Sequence, residues 1–139
     1  MADQVKDIMS VDPTTLDADS PVLDAARRMA RDDIGAVIVE DGGEVCGIVT
    51  DRDIVVRAVA TGKNLAQTPL KDICSKGVFM LSPEDDLDEA VKLMREKAVR
   101  RVPVVSKGTV VGILSLGDLA QERDRQSVLG QISAAPPTH

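Results

Sequence analysis

Two phrases in this sequence pair a hydroxyl with a carboxylate at one spacing. They are Gly47-Ile48-Val49-Thr50-Asp51-Arg52-Asp53 and Gly112-Ile113-Leu114-Ser115-Leu116-Gly117-Asp118. In each, an apolar run ends in Thr50 or Ser115, and Asp53 or Asp118 follows in what reads as the first turn of a helix. The hydroxyl can cap that helix and donate to a ligand oxygen. The acid can accept hydrogen bonds from two adjacent hydroxyls, as a ribose diol offers, and a hydrogen bond to a charged group is worth about 1.5–3 kcal/mol. The same spacing also describes a plain capping box, in which both side chains only satisfy N–H groups of the chain itself. One such phrase alone reads as a cap. Two of them, at equivalent places of a repeat, favour ligand binding.

Other chemistry is thin. The two cysteines, Cys46 and Cys74, do not make a disulfide framework in a chain of 139 residues. They read as buried or half-buried thiols, with a redox-sensitive pair as the alternative. The single histidine, His139, sits in an Ala-Ala-Pro-Pro-Thr-His tail, so neither a triad nor a Cys/His metal site can be assembled. Gly62-Lys63 would need a glycine at position 57 to form a phosphate loop, and Arg57 stands there; Gly-x-Gly-x-x-Gly is absent as well.

With one Phe and no Trp or Tyr, the chain has no stacking platform for nucleic-acid bases, and its net charge of −6 makes it a poor general binder of DNA or RNA. There is no apolar run long enough to span a bilayer and no apolar signal-peptide core near the start, so we expect a cytoplasmic protein without membrane or nucleic-acid partners. The 43% of hydrophobic residues suffice for a buried core.

The elements that must position these residues follow from an internal repeat. Sliding the chain so that Val5 falls on Leu70 matches it to itself without a gap from Val5 to Ile54. Met29 falls on Met94, Val37 on Val102, Gly47 on Gly112 and Asp53 on Asp118. Each copy reads as β-α-β-β-α. Thr14-Thr15-Leu16 and Phe79-Met80-Leu81 are short β-prone pieces. A helix follows, capped by Ser20 with Pro21 at its first position in one copy and by Asp85 in the other. Its stripe is Val22, Ala25, Ala26 and Met29, or Leu87, Ala90, Val91 and Met94. Two strands joined by Asp41-Gly42-Gly43 or Ser106-Lys107-Gly108 come next. Second helices span about Arg52 to Thr61 and Gly117 to about Arg123. The fold class is α/β (α+β), with repeats at 5–62 and 70–124, a linker at 63–69 and a tail at 125–139 that we expect to be partly disordered from Ala134 on. The linker fits two units packed by a pseudo-two-fold axis. The second helices carry apolar faces (Ile54, Val55, Ala58, Val59; Leu116, Leu119, Ala120) in excess of one core, which predicts a homodimer.

The double β-α-β-β-α repeat, each copy closed by Gly-h-h-Thr/Ser-x-x-Asp, resembles the cystathionine β-synthase (CBS) domain pair, or Bateman module, over residues 5 to 124. The resemblance implies two clefts between the paired CBS repeats, often filled by AMP, ADP, ATP or another adenosyl ligand, and face-to-face dimers of modules. On that basis Asp53 and Asp118 match ribose-binding acids, and Thr50 and Ser115 match hydroxyls near ribose or phosphate. Thr15, Met80, Val37, Ile38, Val102 and Pro103 match apolar walls around the base. Arg100 and Arg101 match a basic pair that reaches phosphate, whereas the first copy has Gly35-Ala36 there, so we expect the second site to dominate. The expected function is a non-enzymatic sensor with an adenine nucleotide as ligand, no required cofactor and an unnamed downstream protein target. The rivals are a structural dimer with empty clefts and a redox-responsive dimer using Cys46 or Cys74.

Overall fold

The repeat recurs in the backbone at a finer grain than in the sequence. The computed structural model describes residues 3–77, 79–117 and 119–120. In chain order it holds β1 (Ser10–Val11), β2 (Thr15–Asp17), α1 (Val22–Asp32), β3 (Ala36–Asp41), β4 (Glu44–Thr50), α2 (Asp51–Asp53) continuing as a π-helix over Ile54–Val59, β5 (Ser75–Lys76), α3 (Leu87–Glu96), β6 (Arg101–Ser106) and β7 (Thr109–Ser115), with 3-10 turns at Val5–Asp7 and Leu70–Asp72. Left-handed residues fall at matching places. Asp33 and Ala98 follow α1 and α3 with φ of 53° and 54°, and the hairpin turns are Gly42-Gly43 (62°, 85°) and Lys107-Gly108 (53°, 78°). Two successive residues at positive φ give the turn whose twist suits right-twisted strands. A bulge interrupts each hairpin at the same point, between Val39 and Glu40 and between Val104 and Val105.

The elements form two units. The central unit, residues 12–79, has a sheet in the order β2-β3-β4-β5. Strand β2 is parallel to β3, and the other pairs are antiparallel. Helix α1 buries Val22, Ala25 and Met29 at helical spacing against Val37, Val39 and Val49, and Ile54, Ala58, Leu70, Ile73 and Cys74 complete that core. The split unit joins residues 1–11 to those from 80 onward and has the order β1-β7-β6. Its core includes Val5, Leu87, Ala90, Val91, Met94, Val102, Val104 and Leu114. The expected β-prone piece Phe79-Met80-Leu81 contributes only one parallel bridge, Leu81 to Val104.

Each repeat's lead-in therefore packs with the other repeat. Val5 and Lys6 donate backbone hydrogen bonds to the Asp85 and Pro83 carbonyls, and the matching Leu70 and Lys71 donate to Ser20 and Ala18. These crossings correct the expected caps. Helix α1 begins at Val22 with Pro21 as cap and no side-chain bond, because Val22 and Leu23 donate to the Thr68 and Leu65 carbonyls and leave Ser20 no N–H to satisfy. In α3 the cap is Asp86, whose carboxylate accepts from Glu89 N, while Asp85 accepts from Ser82 N. Helical backbone resumes at 116–117 and 119–120; the rest of the expected second helix and the tail lie outside the described residues.

Candidate functional site

Strand β4 ends at Thr50, and the chain turns at once into α2. Thr50 has an extended backbone (φ −109°, ψ 165°), so its side chain can reach forward over the first helical turn. Thr50 Oγ1 accepts from Asp53 N at 3.1 Å, and Asp53 Oδ2 accepts from Thr50 N at 2.9 Å. This is a complete capping box. The second carboxylate oxygen, Oδ1, lies 3.7 Å from Arg57 Nη2, and the Asp53 side chain is 14% exposed. A carboxylate has about four acceptor sites, so Asp53 keeps capacity for donors from a ligand at this half-buried strand end.

Arg57 is the residue that sequence reasoning missed. Its Nη1 donates to the Ile73 carbonyl at 2.9 Å and to Ser75 Oγ at 3.2 Å, so one guanidinium ties the π-helix, Asp53 and the lead-in to β5 together. The signal was present, since a basic residue four positions after an acid on a helix is a pairing distance. The expected helix from Arg52 to Thr61 is mostly π-helical, a form that recurs at functional sites.

The equivalent edge of the split unit differs in charge. Arg101 and Ser115 are cross-strand partners in the β6–β7 pair, where the first copy places Ala36 opposite Thr50. Leu116 N donates to the Arg100 carbonyl at 2.9 Å, which fixes Arg100 at the same corner. Among the described residues neither guanidinium has an ion pair or side-chain hydrogen bond. Arg100 is exposed, and Arg101 and Ser115 are half-buried. Asp118, the expected second ribose acid, lies outside the described residues.

The expected apolar walls divide by strand face. Val37 is fully buried in the central core, and Val102 is its buried counterpart in the split unit. Alternation puts Ile38 and Pro103 on the other face of their strands, also buried. Thr15 pairs with Ile38 and is exposed, and Met80 is 51% exposed. A groove of about 440 Å³ runs along α3, but Asp85, Asp86, Glu89 and Glu96 outnumber Lys92 in its lining, which disfavours phosphate there. Among the described residues no three His, Cys, Asp or Glu side chains gather as a metal site, and no helix is long and apolar enough to cross a membrane.

Comparison with known proteins gives a consistent set of relatives. The family described as CBS domain matches residues 5–59 and again 70–125. The CBS domain-containing protein YhcV of Bacillus subtilis is 36% identical over 116 residues, spanning 84% of this chain and 82% of that protein. Hypoxic response protein 1 of Mycobacterium tuberculosis is 29% identical over 130 residues, 93% of this chain and 91% of that one. Its crystal structure, with two coordinated zinc ions, superposes with a TM-score of 0.74 over 85% of this chain and 97% of that chain. A hexameric CBS-CP12 protein from bloom-forming cyanobacteria superposes with a TM-score of 0.79 at 28% identity, over 89% of this chain and 73% of that one.

Proposed function

Since the chain belongs to the CBS domain family, with two CBS domains in tandem, we propose that it is a non-enzymatic, cytoplasmic regulatory module that binds an adenine nucleotide at its strand-end edges. The observation that carries this reading is the corner where Arg101 faces Ser115 with Arg100 beside it, two guanidinium groups without a partner among the described residues, in a chain of net charge −6. Guanidinium binds phosphate through charge-assisted, often bidentate bonds. At the equivalent edge of the central unit, Asp53 offers an acceptor suited to a ribose diol. No cofactor is needed for this role, and the downstream target is a protein whose contact surface responds to the bound nucleotide.

Isothermal titration of nucleotide-free protein with AMP and ATP tests the reading. Wild type should bind, and Arg101→Ala or Asp118→Ala should weaken binding by about 1.5–3 kcal/mol, the size of a hydrogen bond to a charged group. Asp53→Ala should cost less if the basic corner dominates. No heat from either nucleotide would overturn the proposal.

A second reading, a self-associating scaffold that works without ligand, is favoured by Val55, Val56 and Val59, which the π-helix leaves 58%, 50% and 55% exposed. The hexamer formed by the CBS-CP12 protein makes self-association a reasonable expectation. It is compatible with nucleotide binding, and we include a homodimer in the proposal.

A further inference from the structure

The nucleotide reading leaves Cys46 and Cys74 unused, yet the fold brings both to one side of the central unit. Cys46 is the extra residue of the bulge in β4, between Val45, which pairs with Glu40, and Gly47, which pairs with Val39. Such a residue stands outside the regular alternation of the strand. Its half-buried side chain packs against the core cluster to which Cys74 belongs. A Cβ built on Gly47, the next residue, would lie 3.3 Å from Cys74 Sγ. Burial, and next the Cys46 thiol beside it, push the Cys74 thiol up to about 11. Arg57 donates to the residues on both sides of Cys74, the Ile73 carbonyl and the Ser75 hydroxyl, so this thiol sits on an anchored segment.

The repeat supplies an internal control. The positions equivalent to Cys46 and Cys74 are Val111 and Met9. Val111 occupies the matching bulge of β7, and Met9 Sδ lies against Gly112 as Cys74 Sγ lies against Gly47. Packing there is satisfied by side chains without thiols, so the two cysteines of the central unit add a chemistry that packing does not require.

We propose that Cys46 and Cys74 form an intramolecular dithiol that closes to a disulfide by exchange with a small-molecule disulfide. The Cys46 thiolate, the more accessible sulfur, attacks the small disulfide; its S–S bond breaks, one thiolate leaves and takes a proton from water, and Cys46 carries a mixed disulfide. Cys74 then gives its proton to water and attacks the Cys46 sulfur, expelling the second small thiolate. The protein loses two electrons and two protons, and the small disulfide is reduced to two thiols. This site is independent of nucleotide binding.

The test treats the intact chain with oxidised glutathione, then uses alkylation, intact mass and a non-reducing denaturing gel. Wild type should lose both thiols together, end lighter by two hydrogens, run as a single chain and recover both thiols with a dithiol reductant. Cys46→Val, which copies the Val111 arrangement, should leave Cys74 unmodified in the folded protein. Cys74→Ala should stop at a glutathione adduct on Cys46. A wild type that itself stops at the Cys46 adduct with Cys74 still free, or that forms covalent dimers in place of the internal bridge, would overturn the proposal. Because both single variants keep one thiol and replace the other with an apolar side chain, a folding defect in one leaves the wild-type mass measurement decisive.

Discussion

A methyl group placed on Gly47 would collide with the Ser75 carbonyl, and one on Gly112 would lie 2.6 Å from Met9 Sδ and 2.9 Å from the Ser10 carbonyl. Both collisions are with a lead-in segment crossing the strand, and backbone cannot swing aside as a long side chain can. Gly47→Ala and Gly112→Ala should therefore each destabilise the protein by about 1–3 kcal/mol, the usual cost of overpacking. Gly117→Ala, whose nearest contact would be Ser115 Oγ at 3.7 Å, should fold normally and serves as the control in urea titrations. At Thr50, loss of the hydroxyl removes a cap worth about 0.5–2 kcal/mol, so Thr50→Val should lower stability within that range even without ligand. Cys74 sets a pH limb. Its thiol is raised in the folded state to about 11, while the unfolded thiol titrates near ~8.5. The folded chain thus binds more protons between these values, so its contribution is whole below the lower one and is lost as pH rises through about 11. Equilibrium unfolding of reduced protein should show stability falling over that window, and Cys74→Ala should lack that component.

At the scale of elements, the exchange of lead-in segments decides which parts unfold together. Val5 and Leu70 are fully buried, each in the unit built around the other repeat. Removing a buried leucine side chain costs about 2–5 kcal/mol. Hydrogen exchange makes the exchange of segments testable. Leu70→Ala should speed amide exchange in α1, β3 and β4, and Val5→Ala should speed it in α3, β6 and β7, with the other unit less affected in each case. The opposite pattern, each variant loosening the repeat it belongs to in sequence, would contradict the observed packing. The π-helix is a second element-scale feature. It buries Ile54 and Ala58 and turns Val55, Val56 and Val59 outward, so the apolar surface left over from the core of this unit lies on those three valines.

For the whole molecule, the exposed valines and the family's architecture bear on assembly. Light scattering of wild type at micromolar concentration should give a dimer. Val55→Asp combined with Val59→Asp should shift it toward monomer without loss of helical circular dichroism, since both side chains are more than half exposed. A wild-type monomer would sink this expectation. Much of the molecule was legible beforehand because its signals are local. Hydrophobic periodicity gave α1 and α3, Gly42-Gly43 and Lys107-Gly108 gave the hairpin turns, and Thr50 with Asp53 gave a strand end running into a helix. The self-match from Val5 to Ile54 determined that these elements occur twice and which residues are equivalent. What the sequence could not assign was partnership across the chain, because two similar lead-ins fit two similar sheets and a repeat is blind to the choice. Only the tertiary structure placed Val5 with α3 and Leu70 with α1, moved the caps from Ser20 and Asp85 to Pro21 and Asp86, and set Arg57 against Ile73 and Ser75, the neighbours of Cys74. Those outcomes depend on which N–H groups and apolar faces meet their partners in space, and that is settled by packing between segments far apart in sequence.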